Sequence, residues 1–184
     1  MGMNDLVLNV SAGESSDGSN QFLTFQVLGK SMAIGIDDVK EIIEIGNMTR
    51  VPMSNSCIRG VINLRGNVVP VVDLGMRLRK RPVELDRRNC IVLVETHQQG
   101  EAQVLGMLVD EVNEILEIEP QDMQKTPEFG TEILPEFIEY MGRSGENFII
   151  VLDLTRVLAI DDLSGAQEIL GGGESADANT QSVE

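Results

Sequence analysis

The sequence predicts an all-β protein built as two small barrels of about five strands each. Three observations carry this: short apolar runs alternate with a period of two, no helical pattern is long, and the chain repeats itself in order. Aromatic residues make up 3% of the chain and Trp is absent, so the core falls to Val, Ile, Leu and Met, a mixture that suits strands. At 184 residues the chain holds one ordinary domain, or two very small units sharing a core.

Residues 1–20 are rich in Ser, Gly and Asn and hold Asp5, Glu14 and Asp17 without a Lys or Arg, the signature of a flexible, solvated segment. The start, Met1-Gly2-Met3-Asn4-Asp5, lacks the basic and apolar stretches of a secretory signal, and no apolar run reaches the length of a membrane span. A cytoplasmic protein with no direct membrane insertion is expected.

Strand alternation begins at residues 22–28 (FLTFQVL), where Leu23, Phe25 and Val27 share a face. Gly29-Lys30 reads as a tight turn into 31–36, where Met32, Ile34 and Ile36 alternate again, so the pair is a hairpin. A second hairpin runs from 90–94 through a polar turn at 97–101 and back through 104–109.

Each hairpin is followed by a matching segment. Residues 36–45 (IDDVKEIIEI) align without gaps to 109–118 (VDEVNEILEI), a shift of 73 positions, with six of the ten identical. Residues 67–74 (NVVPVVDL) resemble 147–154 (NFIIVLDL) at a shift of 80. Ordered matches favour duplication over chance likeness between apolar strands. A small sheet of short strands commonly closes on itself to remove its edges, hence two barrels side by side.

Between the halves, residues 76–88 gather Arg77, Arg79, Lys80, Arg81, Arg87 and Arg88, six of the fourteen basic residues. The stretch reads as a surface connection, a solvated charge run unless an acidic partner meets it. From about Ser164 the chain is acidic and rich in Gly, Ala and Ser, which predicts a second flexible segment; residues 163–170 could add a helical turn before Gly171-Gly172-Gly173. The folded unit is then about 21–163, with halves at about 21–80 and 89–160 between which strands are free to exchange.

The net charge of −16 argues against nucleic acid or an anionic membrane surface as partner. Cys57 and Cys90 are far apart with no CxxC or nearby His, so reduced buried thiols are expected rather than a disulfide or metal site. His97, the only histidine, falls in a polar loop-like stretch. No Gly-x-Ser-x-Gly, phosphate loop or dinucleotide fingerprint occurs, and the acids of 37–44 and 110–117 lack the order of a calcium-binding loop. The sequence shows no catalytic machinery, cofactor or metal site, and points to binding.

Two features could carry binding. Gly66 in 63–67 (NLRGN) can take positive φ in a tight turn and leave Arg65 near its tip, where a guanidinium can present a planar fork to a carboxylate. An ordinary solvated turn arginine is the plainer reading. Residues 39–43 (VKEII) leave the first hairpin where an apolar floor with a charged rim could form, although Val39 and Ile42 could equally fill a core.

The succession FLTFQVLGKSMAIGIDDVKEIIEI, then 58–66 (IRGVINLRG), then 69–74 (VPVVDL) resembles the CheW family, as do 106–112 (GMLVDEV), 126–129 (TPEF) and 149–154 (IIVLDL). The combination of GV-x-NLRG with a following VPVVDL is specific, and the likeness spans nearly all of 21–160.

The resemblance implies two intertwined five-stranded SH3-like β-barrels with short helices. It also implies a non-enzymatic adaptor that couples the cytoplasmic tips of methyl-accepting chemoreceptors to the regulatory domain of the histidine kinase CheA. It further implies other CheW-like domains as candidate partners in rings, and recruitment of the protein to membrane-associated receptor arrays. Arg65 and Glu41 match family positions important for coupling, and Gly60 matches a family glycine implicated in it. The resemblance also implies that Val39 and Ile42 lie near an inter-barrel groove, with Val109 and Val112 expected as its other wall.

Alternatives are an adaptor of a pilus or surface-sensing pathway and a small β-barrel ligand-binding protein or enzyme. Two closer alternatives are a CheV-type protein, which would need a receiver domain for which the length leaves no room, and a detached kinase regulatory domain. The latter is disfavoured because no kinase ATP-binding or dimerisation segment precedes the unit.

Overall fold

The computed structural model describes residues 20–52, 55–127 and 132–159. The flanking segments expected at either end, the helical turn at 163–170 and Glu128-Phe129 of the TPEF motif lie outside them.

Among the described residues, eleven strands form two sheets. In chain order they are β1 (Gln21–Val27), β2 (Lys30–Gly35), β3 (Val39–Glu44), β4 (Ile58–Leu64), β5 (Asn67–Asp73), β6 (Cys90–Gln98), β7 (Glu101–Val109), β8 (Glu111–Glu117), β9 (Met123–Gln124), β10 (Ile138–Ser144) and β11 (Asn147–Leu152). Two short helices, α1 (Leu74–Arg79) and α2 (Leu154–Val157), follow β5 and β11. The fold is the expected pair of intertwined SH3-like barrels. One sheet has five strands in the order β3-β6-β7-β5-β4, and the other has six, β8-β1-β2-β11-β10-β9, its extra member being the two-residue β9.

Neither sheet is a sequence half. The β1–β2 hairpin joins β8 to β11, and the β6–β7 hairpin joins β3 to β5. The exchange is sealed by two parallel pairings, β2 with β11 through Met32↔Ile150 and Ala33↔Val151, and β5 with β7 through Val71↔Gly106 to Asp73↔Leu108. All other ladders are antiparallel.

The period of two does what the sequence implies. Leu23, Phe25 and Val27 of β1 with Met32 and Ile34 of β2 enter one large core shared with Val71, Ile91, Leu93 and Met107 of the other sheet. On the opposite face, Phe22, Ala33, Ile118, Ile149 and Val151 form a smaller core inside the six-stranded barrel. Its seam is tight: a Cβ on Gly142 would lie 2.8 Å from Ile118.

Three hairpins turn through a residue pair with both φ positive: Leu28-Gly29, Arg65-Gly66 and Gln99-Gly100. That is the type I′ geometry matched to strand twist. The first turn thus lies one residue earlier than the sequence suggests, since Val27 pairs with Lys30. His97 is not in a loop; it lies in β6 opposite Ala102, one residue before the strand ends at Gln98, with its side chain exposed.

The connection after β5 also departs from the sequence reading. Leu74, Arg77 and Leu78 lie on one face of α1, and all three are buried, Arg77 at 7% exposure. Its guanidinium is accommodated because Nε donates to the Val157 carbonyl at 2.8 Å, Nη2 donates to the Arg156 carbonyl at 3.1 Å, and the group stacks 4.7 Å from the centre of the Phe137 ring. Arg77 therefore locks α1 to α2 and is no part of a solvated charge run.

Asp73 is the second fastening point. Its buried carboxylate caps α1 by accepting from the Met76 amide, accepts from the Val83 amide and pairs with Arg59 at 2.9 Å. Its duplicate, Asp153, caps α2 through the Arg156 amide but is partly exposed. Removing one partner of a buried, hydrogen-bonded pair leaves the other uncompensated. Asp73→Ala should lower unfolding stability by about 3 kcal/mol in urea titrations, against about 1 kcal/mol for Asp153→Ala, which loses mainly a cap. Equal losses would show that Asp73 acts only as a cap.

Candidate functional site

Arg65 and Glu41, 24 residues apart in sequence, meet. Nη2 of Arg65 donates to both carboxylate oxygens of Glu41, at 3.1 and 3.0 Å. The contact has a topological reason. β3 and β4 are the terminal strands of the five-stranded sheet, so an ion pair between β3 and the β4–β5 turn spans the seam where the barrel closes.

Local backbone places both groups. Arg65 occupies the first positive-φ position of its turn (φ 51), where a non-glycine residue is held by Gly66 beside it and by the Asn63 side chain accepting from the Gly66 amide. Glu41 follows a register shift in β3 between Val39 and Glu41, a bulge that re-aims the strand. The duplicate strand β8 is bulged where it passes β1, with Thr24 filling the gap by hydrogen bonds to the backbone of Glu114.

The Arg65 side chain is 72% exposed and that of Glu41 18%. An exposed pair of this kind adds only about 0–1 kcal/mol to stability. Its effect is positional: one guanidinium nitrogen is engaged, while Nε and Nη1 face no acceptor among the described residues. A carboxylate from outside could use that edge.

The remaining site residues divide by burial. Gly60 is buried against the chain of residues 48–49, and a Cβ there would stand 2.5 Å from the Thr49 carbonyl oxygen. The Thr49 and Val61 backbones exchange two hydrogen bonds at that point. Gly60 thus serves backbone approach.

Val39 and Val109 are core residues whose side chains offer no surface. They also stand apart, opposite Val94 and Cys90 of β6, about 13 Å along the strand. Ile42 and Val112 are half-buried, each packed on the core with surface remaining. The two edge strands approach at the Cys90 thiol. Burial raises that thiol above its ordinary value, the Val112 backbone opposes this, and the Glu44 and Glu111 charges add to it.

Two exposed apolar residues escaped the sequence reading. Val68 and Phe148 are each 50% exposed and occupy equivalent places on β5 and β11. The match of Asn67-Val68 to Asn147-Phe148 contained the signal, which the apolar neighbours on both strands masked.

A cleft of about 490 Å³ lies elsewhere, where Phe22 and Tyr140 meet Asp38, Glu139, Asp153 and His97. Burial, then Asp153 and Asp38, push the Glu139 carboxyl up; burial and Asp37 do the same to Asp38. A carboxyl raised in the folded state is protonated more readily there than in the unfolded chain. Ionising it therefore opposes folding, and its favourable contribution is lost as pH rises through the folded value. Glu139→Gln should raise the melting temperature at about pH 7, with the gain shrinking towards about pH 4. An equal gain at both pH values would remove charge as the cause.

No helix among the described residues is long and apolar enough to cross a membrane. Residues 21–162 match the CheW-like domain family. The chain is 28% identical to "Chemotaxis protein CheW" of Klebsiella aerogenes over 153 residues, 83% of this chain and 89% of the relative. It is 26% identical to "Protein FrzA" of Myxococcus xanthus over 139 residues, 75% of this chain and 84% of the relative. Among solved structures, the scaffolding protein TtCheW of Thermoanaerobacter tengcongensis superposes with a TM-score of 0.68 at 25% identity, covering 81% of this chain and 94% of that one. With the match spanning both barrels and their exchanged hairpins, the chain belongs to the CheW-like domain family.

Proposed function

We propose that the protein is a non-enzymatic coupling adaptor. It holds the cytoplasmic tip of a methyl-accepting chemoreceptor and the regulatory domain of CheA, works in the cytoplasm at membrane-associated receptor arrays, and joins other CheW-like domains in rings. The observation that carries the reading is the seam pair: Arg65, fixed by its turn and by Glu41, keeps an open donor edge on the surface. Membership of the CheW-like domain family supports this class of partner.

The coupling surface on this reading is Arg65, Glu41 and Ile42, flanked by Val68 and, across the edge strands, by Val112. Gly60, Val39 and Val109 hold the backbone beneath it. Only binding energy is available to such a protein. Attaching both partners at once raises the effective concentration of kinase at the receptor, and a modest preference for one receptor state shifts the shared equilibrium. The likeness to FrzA, a relative without a chemotaxis name, favours as second reading the same adaptor role in a pathway other than swimming motility.

Reconstitution with receptor tips and kinase tests this through the seam pair. Arg65→Glu should leave circular dichroism unchanged and cut receptor-dependent kinase autophosphorylation about tenfold or more. The exchanged variant E41R/R65E restores an internal ion pair but reverses what the surface presents. It should stay defective, whereas recovery of coupling would make the pair structural and remove Arg65 from the site. Glu41→Lys should weaken receptor co-sedimentation more than kinase binding; the opposite order would assign Glu41 to the kinase.

A further inference from the structure

We propose that the acidic segment following Ala159, residues 160–184, docks on the basic surface formed by the connection between β5 and β6. The connection holds six cations, and the structure separates them into two groups. Arg77 is bonded to carbonyls, Arg79 to Glu132, and Arg88 to Asp86 and Glu111. Lys80, Arg81 and Arg87 are exposed and face no carboxylate among the described residues. On a chain of net charge −16 they are a local reversal of sign.

These cations stand on a fixed support. Lys80 caps α1 in the left-handed region, the Arg81 amide donates to the Gly75 carbonyl, and the buried Val83 is tied through its amide to Asp73. Further on, Asn89 is buried and donates to the carbonyls of Val109 and Asp110. The segment between presents Leu85, 52% exposed, among the charges.

The chain leaves the described fold at this place. Arg77 holds the last turn of α2 against α1 through the Arg156 and Val157 carbonyls, so Ala159 emerges beside the helix that Lys80 caps and Arg81 follows. Residues 160–184 contain Asp161, Asp162, Glu168, Glu174, Asp177 and Glu184 and no Lys or Arg, together with Leu163, Ile169 and Leu170 as partners for Leu85. At about 3.5 Å per residue, Asp162 reaches about 10 Å from Ala159 and Glu168 about 32 Å.

Single exposed ion pairs are weak, but tethering places many acids at high effective concentration near the cations. The contact is intramolecular and fades with salt.

A nitroxide on Ser175→Cys, in a Cys90→Ser background of the full chain, reads the contact by relaxation enhancement of amide signals. At about 20 mM salt the signals of residues 80, 81 and 84–88 should lose about half their intensity or more, and recover near 500 mM. K80E/R81E/R87E should abolish the loss, as should neutralising the segment with D161N/D162N/E168Q/E174Q/D177N, which leaves the connection untouched. Intensities that do not depend on salt, or losses spread evenly over the fold, would overturn the proposal. So would losses in an isotope-labelled, nitroxide-free chain mixed with an unlabelled nitroxide-bearing one, since these would place the contact between two copies.

Discussion

The exchange of hairpins between the two halves is the constraint on which the rest depends. Neither half can complete a sheet, because β1–β2 finds its neighbours in β8 and β11, and β6–β7 finds its own in β3 and β5. The backbone groups along those strands are satisfied only by chain far away in sequence, so the barrels fold together and not in turn. Their relative orientation is then set by ladders and a common core rather than by a linker. On the proposed adaptor reading, partners bound to this unit would meet one fixed geometry.

Duplication supplied the frame, and departures from it supplied the chemistry. Asp73 and Asp153 both cap a short helix, but only Asp73 is buried, with Arg59 and the Val83 amide on its second oxygen. Arg77 stands where the second half has Val157, and it reaches that residue's own carbonyl, fastening the two copies where their helices meet. Arg65 corresponds to Gly145, which also has positive φ but no side chain to present. Equivalent backbones thus leave one barrel with a guanidinium at its seam and the other without. On the proposed reading, such asymmetry would give two partners different surfaces to recognise.

Charge follows the same division. The edge strands β3 and β8 carry Glu41, Glu44, Glu111, Glu114 and Glu117, which discourage strand addition at open edges. The basic residues are concentrated between the halves, and three of them are absorbed by internal partners. A charge run read along the chain overstated the surface charge for that reason. Helix periodicity, with Leu74 and Leu78 on either side of Arg77, held the information, but six residues of helix are too few to separate it from a connection.

The strands of the two hairpins, the Arg65-Gly66 turn and the repeat were legible in the sequence because each is local: a period of two, a glycine at the tip, a motif that recurs. So were the positions of Arg65 and Glu41, through the motifs that carry them. The first turn reads one residue late, and the short β9 and the strand β10 gave no such signal. What the sequence could not contain is who pairs with whom. The Arg65–Glu41 contact exists because barrel closure brings together the two terminal strands of one sheet, and the strand exchange decides which sheet that is. Val39 and Val109 share the alternating pattern of residues that reach the surface, and only their place in the packed core shows that they do not. Local propensity determined the elements of this protein; closure and exchange, which act between residues distant in sequence, decided its surface.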